Sequence, residues 1–270
     1  MRRFFPLILL LAPVMTWAQV HYARLEPYQT YVIKAAAAGQ VVKADDAKEG
    51  RIGDGEVVVQ IDDAVDRAQK RALEVSLETL QKTLDLTEEM AKNQARVYEK
   101  DRRYYERTKN LKTKSQTEKD RIFATMMASQ NQLLSLEEKI ATLKKQIADT
   151  KYQIFMLRDR IAKKAIRAKG LYIYRVAVRK DDYVNPGTLL LKAMDLSRGR
   201  LVVYLDADEV ADIAHKRIYI DGRPSDLRFE KLIKVADDTH ISSYRGEIIV
   251  PHPGKLFSKL MEIEVKQGEP

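Results

Sequence analysis

The side chains able to do chemistry are few and poorly placed for it. His21, His215, His240 and His252 stand far apart with no pair at helical spacing, so they do not read as a metal site. Asp62-Asp63, Asp181-Asp182 and Asp237-Asp238 are paired carboxylates, but each falls at a turn or strand end, where aspartate caps and turns well. The chain has no cysteine, which excludes disulfides, thiolate ligands, a cysteine nucleophile and a lipid anchor on cysteine. Met126, Met127 and Met156 could be soft metal ligands, yet Met126 falls on a packing stripe and core filling accounts for it. No base, nucleophile and oxyanion donor converge, so the sequence reads as a non-enzyme with no cofactor and no metal.

What remains is charge. The chain carries 48 Lys and Arg against 39 Asp and Glu, a formal net charge of +9. Between Arg96 and Arg121 ten basic residues meet five acidic ones, a local excess of five. Arg107, Lys109, Lys112 and Lys114 sit at the middle of this stretch. A charge run is usually a solvated face; its concentration at one place suits an acidic protein surface. Nucleic acid is not expected, because the amino terminus reads as a secretory leader. Met1-Arg2-Arg3 is a positive n-region, Phe4 to Val14 an apolar stretch, and Thr16-Trp17-Ala18 a small-residue exit, giving a signal peptide over 1–18. The alternative, a retained anchor, has a short apolar run interrupted by Pro6 and Pro13.

The elements that position these cations follow from what is missing. No Gly or Pro occurs from Asp63 to Ala165, which for so long a stretch implies helix. Alternating steps of four and three from Leu73 reach Leu77, Leu80, Leu84, Thr87, Ala91, Gln94, Tyr98, Asp101 and Tyr105. From Ile122 they reach Met126, Ser129, Leu133, Leu136, Ile140, Leu143, Ile147, Thr150, Ile154, Leu157 and Ile161. This 3.5-residue period marks a coiled-coil seam. The apolar pattern lapses near 109–117, and Ser115 stands three residues before Glu118, a capping-box spacing. Two arms of about 45 residues, roughly 70 Å each, therefore form an antiparallel hairpin over 63–165 with the basic stretch at its tip. One continuous rod dimerising through both stripes is the alternative, and it would need helix through the polar tip.

The flanks, 31–62 and 166–197, are short β-rich runs punctuated by glycine. A hairpin whose ends emerge into two similar segments is most simply an insertion into one β-domain. After Ser197-Arg198-Gly199 the region 198–270 reads as further short strands, suggesting a small β-barrel.

Ile52-Gly53-Asp54-Gly55-Glu56 followed by Val57 to Asp62 resembles the first half of a lipoyl or biotinyl-type β-sandwich. Val178 through Tyr183-Val184-Asn185-Pro186-Gly187-Thr188-Leu189-Leu190-Leu191 resembles the second, with Gly55 and Gly187 as the turn glycines. Carrier domains of that fold have a lysine where this chain has Asp62-Asp63. The order of parts, an α+β chain with a long antiparallel coiled-coil α-hairpin inserted into a split lipoyl-like β-sandwich and followed by a small β-barrel, resembles the periplasmic adaptor, or membrane fusion, proteins of the HlyD-like family.

That resemblance implies a periplasmic subunit of a tripartite efflux or secretion system. Its hairpin tip would meet a TolC-type outer-membrane channel, its β-domains an inner-membrane transporter, and its copies would form a homo-oligomeric ring. Members that dock on such channels carry an Arg, a Leu four residues on, and a Ser opening the returning helix. Arg107, Leu111 and Ser115 match that order, with a shorter interval from Leu to Ser than the usual pattern. The alternative role is a periplasmic coiled-coil chaperone or scaffold holding client proteins, which leaves the two glycine half-motifs unexplained.

Overall fold

The computed structural model describes residues 19–235, 239–254 and 257–267. The leader expected over 1–18 and the pair Asp237-Asp238 lie outside them. In chain order the elements are β1 (Val20–Arg24), β2 (Glu26–Lys34), β3 (Gly39–Ala44), β4 (Val57–Ile61), α1 (Ala64–Thr108), α2 (Gln116–Lys164), β5 (Ala165–Arg167), β6 (Tyr172–Val176) and β7 (Tyr183–Val184). There follow β8 (Leu189–Leu205), α3 (Ala207–Val210), β9 (Lys216–Ile220), β10 (Arg223–Ser225), β11 (Phe229–Ile233), β12 (Tyr244–Val250) and β13 (Leu260–Gln267).

The hairpin is built from α1 and α2, of 45 and 49 residues. A two-helix structure has only one face on which to bury apolar surface, and the seam occupies it. Ala91, Ile122, Met126, Leu143, Ile147, Ile154 and Leu157 are buried, together with the polar seam residues Thr87 and Ser129. Thr87 Oγ1 donates to Thr83 O at 2.7 Å and Ser129 Oγ to Met126 O at 2.9 Å, so each buried hydroxyl is satisfied within its own helix. Gln94 Nε2 donates across the seam to Ser129 O at 3.0 Å. A partly buried amide bonded at one height fixes the register, because sliding the helices would leave it unpaired. Glu88–Lys144 (2.8 Å) and Glu74–Arg158 (3.1 Å) span the helices at the surface, where such pairs contribute little.

The base of the hairpin is clamped differently. Asp66 on the first turn of α1 is buried and accepts from Lys164 Nζ at 2.6 Å and from Arg160 Nη1 at 3.4 Å. The same ammonium reaches Asp62 O at 2.8 Å. Burial pushes the Asp66 carboxyl upward, but the Lys164 and Arg160 hydrogen bonds and charges outweigh it and hold the carboxyl below the usual aspartate range.

Beneath the base, β4 and β5 pair antiparallel, with Gln60 opposite Ala165. The hairpin thus fills the connection between two adjacent strands. The sheet β5-β4-β3-β7 packs against β6 and the first half of β8 to bury one core. Val41, Val58, Val59 and Ile61 come from before the insertion, and Ile166, Ile173, Val176, Val184, Leu190 and Leu191 from after it. Gly53 interlocks the halves: its N–H donates to Leu171 O and its carbonyl accepts from Gly170 N, both at 2.8 Å. A Cβ at Gly53 would stand 1.8 Å from Ala168 O, so no other residue permits this approach. Gly55 and Gly187 occupy turns at φ +95° and +92°, a region that favours glycine.

Two features depart from the sequence reading. The boundary expected after residue 197 falls inside β8, a strand of 17 residues. Gly199 is buried and makes no turn; a Cβ there would meet Leu25 Cδ1 at 2.6 Å and Pro253 Cβ at 2.9 Å, so this glycine serves close packing. The second departure is at the amino end, where β1 pairs with β13 from Val20 opposite Glu264 to Arg24 opposite Leu260. Ala23 and Leu25 thereby enter the second core with Leu201, Leu205, Ile218, Ile248 and Ile263. The final β-region, two sheets with strand orders β1-β13-β9-β10 and β11-β12-β8-β2, is therefore completed by chain from before the hairpin.

Replacing the buried seam residue Leu143 with Ala should cost about 2–3 kcal/mol in circular dichroism melts, while Glu137→Lys on the exposed face should cost almost nothing. Equal losses would contradict the seam. The Asp66 clamp gives a signed pH dependence. A depressed carboxyl pKa adds stability above the ordinary aspartate value and loses it as pH falls through the folded-state value. The stability difference between wild type and Asp66→Asn should therefore be greatest near neutral pH and shrink in acid; a pH-independent difference would mean that packing alone is lost.

Candidate functional site

The far end of the hairpin is a short turn between the two helices. α1 ends at Thr108, a buried residue whose Oγ1 turns back to Tyr104 O at 2.9 Å. The turn is held by Lys109 N to Tyr105 O (2.9 Å) and Leu111 N to Thr108 O (3.1 Å). Ser115 begins the return: with extended backbone, its Oγ accepts from Glu118 N at 3.3 Å, capping α2. The Glu118 carboxylate does not complete a reciprocal box but pairs with Lys114. Inside the turn Ile122 is buried, and the Tyr105 and Phe123 rings meet at 5.4 Å between centroids, tilted 52°.

On this frame the expected docking residues separate into two groups. Leu111 is 44% exposed at the apex of the turn. Arg107 is exposed and spends one donor, Nε, on Arg103 O at 3.3 Å, leaving the rest of the fork directed outward. Lys112 is exposed and makes no ion pair among the described residues. Lys109 and Lys114 are instead paired within the chain, with Glu106 and Glu118. Those hydrogen-bonded carboxylates raise both ammonium pKa values, so the lysines stay charged while part of their field is locally compensated. The cations free to meet a partner at the apex are Arg107 and Lys112. Ser115 shapes the turn through its cap. Gly55 and Gly187 lie far away, in the β-domain at the other end of the hairpin.

The histidines are not brought together. His21, on β1, holds the Glu209 carboxylate at 2.8 and 2.9 Å, and His240 stacks on Tyr204 at 3.5 Å. Among the described residues no group of three or more His, Asp or Glu side chains could hold a metal ion, and no helix is long and apolar enough to cross a membrane. The His21–Glu209 contact was missed because β1 was missed. The signal was present, since Ala23 and Leu25 alternate with polar neighbours from His21 to Glu26.

Neither a protein-family model nor a curated protein matches the sequence. Solved structures do. MacA from Actinobacillus actinomycetemcomitans superposes with a TM-score of 0.68 at 14% identity, covering 93% of this chain and 78% of that one. The membrane fusion protein Spr0693 from Streptococcus pneumoniae R6 gives 0.63 at 8% identity, over 93% of this chain and all of that one. The chain shares its fold with these two structures. A MacA–MexA chimera containing the Pseudomonas aeruginosa MexA α-hairpin domain gives 0.62 at 16% identity, over 93% of this chain and 81% of that one. The α+β arrangement expected from the sequence is therefore the architecture observed. In this fold the tip is the extremity most remote from both β-cores, and the residues there are set by the hairpin alone.

Removing the Ser115 cap should destabilise the hairpin by about 1 kcal/mol, as alanine does at other N-caps, and aspartate should preserve it. Thermal melts of Ser115→Ala and Ser115→Asp check this; indistinguishable curves for both would remove Ser115 from the turn's energetics.

Proposed function

We propose that the protein is a periplasmic adaptor subunit of a tripartite efflux or secretion system, bridging an inner-membrane transporter and a TolC-type outer-membrane channel. The observation that carries the reading is a hairpin of roughly 70 Å inserted between two paired strands, in a fold shared with membrane fusion proteins over 93% of the chain. Such a part separates a docking end from a β-rich end and fixes their distance. Exported by a leader over 1–18, the chain would work in the space between the two membranes. Its role is interfacial rather than catalytic, and the transporter supplies the energy.

The tip residues divide this work. Leu111 is the apolar anchor, since binding energy concentrates in a few side chains that become fully buried on docking. Arg107 holds a carboxylate or backbone carbonyls of the channel with its planar fork, which lysine cannot reproduce. Lys112, and more weakly the paired Lys109 and Lys114, steer encounter, an effect on association rate that salt screens. Copies would pack head to tail in a closed ring, because a heterologous contact that does not close makes filaments.

Because the chain lacks cysteine, Thr113→Cys places a unique crosslinker at the tip. In the cell envelope it should capture an outer-membrane channel. Leu111→Ala should abolish both capture and export, Arg107→Lys should reduce them despite its kept charge, and Lys112→Ala should slow association and flatten its salt dependence. Capture of mixed soluble clients, with wild-type export in all three variants, would replace the adaptor by a chaperone.

A further inference from the structure

We propose that α1 carries a second docking stripe beside the seam, shaped for an acidic helix of coiled-coil period that lies along the hairpin below the tip. The inference rests on the reading of the tip as the partner-binding end and extends it down the helix.

The stripe is visible in the exposed residues. From Leu86, alternating steps of four and three give Met90, Asn93, Val97, Lys100, Tyr104, Arg107 and Leu111. Its apolar members are all open to solvent: Leu86 64%, Met90 58%, Val97 46%, Tyr104 44% and Leu111 44%. Met90, Val97 and Tyr104 each directly precede a seam residue, Ala91, Tyr98 and Tyr105, so the stripe runs alongside an established helix interface. Large apolar side chains recurring every seven residues keep pace with the supercoil. Scattered surface hydrophobes would not. The stripe ends in the turn at Leu111, with Arg107 as its last charged member, so the two strongest tip candidates are its upper end. Its helical part, from Leu86 to Arg107, spans about 32 Å.

The border of the stripe names the occupant's charge. Where it approaches the tip Lys100 and Arg107 belong to it and Arg96 and Arg103 line it, and Arg121 of α2 shares a shallow hollow with Tyr104, Asp101 and Thr125. Among the described residues Arg96, Lys100 and Arg107 form no ion pair, and Arg103 only a 3.9 Å approach to Glu99. A second copy meeting it stripe to stripe would set these cations against their counterparts, a repulsion that selects against that symmetric contact. The fitting partner is a helix with three to four apolar heptads flanked by Asp and Glu.

The test uses the full chain and two labelled peptides of four heptads with identical apolar positions, one flanked by Glu and the other by Lys. Fluorescence anisotropy should show binding of the Glu peptide that weakens with salt, and none of the Lys peptide. Val97→Glu and Tyr104→Glu should each weaken binding at least tenfold. Leu134→Glu, as exposed at 51% but on α2, should not. Circular dichroism confirms folding, and Val97→Ser replaces any variant that fails it. Equal binding of both peptides, or of neither, overturns the stripe, as does self-association in sedimentation that Val97→Glu abolishes. If Leu111→Ala still loses channel capture while neither peptide binds, the adaptor reading survives and the stripe does not. Peptide binding without channel capture separates them the other way.

Discussion

A pair of helices with no third layer has a single seam to live on, and everything beyond the β-domains hangs from it. Here the seam is apolar along α2 and much thinner along α1, where Thr87, Ala91 and Gln94 occupy its middle. Small and polar residues opposite larger ones let the helices interdigitate, but they bury less surface per turn than leucine would. The register is accordingly held by specific bonds: Gln94 to Ser129 O in the middle and Asp66 to Lys164 and Arg160 at the base. A buried carboxylate between two cations is weak as a source of net stability, because desolvation offsets much of the attraction. Its value is directional. It fixes how the arms leave the β-domain, and an error of a few degrees there becomes several ångströms at the tip.

The β-domain is organised so that this direction is kept. β5 follows α2 without an intervening residue, and only Asp62 and Asp63 separate β4 from α1. Both helices are therefore extensions of paired strands. Gly53 locks the two halves of the sandwich by backbone approach, and β8 continues from that sandwich into the second core. Three bodies that the sequence suggests as separate are linked by shared strands, which are harder to bend than loops.

The sequence was most legible where structure is periodic. The seam, the tip and the Ser115 cap follow from spacing, because each depends on residues a few positions apart, and the turn glycines follow from the resemblance of the two half-motifs. The β-region was less legible for the opposite reason. β1 finds its partner some 240 positions away in β13, Gly53 meets Ala168 across the whole insertion, and Gly199, placed at a region boundary, packs against Leu25 inside β8. The pairing of Lys109 and Lys114 with Glu106 and Glu118 could have been read from their helical spacing.

The insertion point also bears on the order in which the protein acquires its structure. β4 and β5 are neighbours in space but are separated by 103 residues of chain, and closing so long a loop of unfolded chain costs entropy before any strand pair compensates it. A hairpin removes the problem stepwise. Once the turn at Thr108–Ser115 forms, each further pair of helical turns closes only a short additional segment, and zippering delivers Ile61 and Ala165 to each other at the bottom. With the hairpin closed, only a short loop remains between β4 and β5. The few residues that face outward at the apex thus sit on the turn whose closure shortens that loop the most.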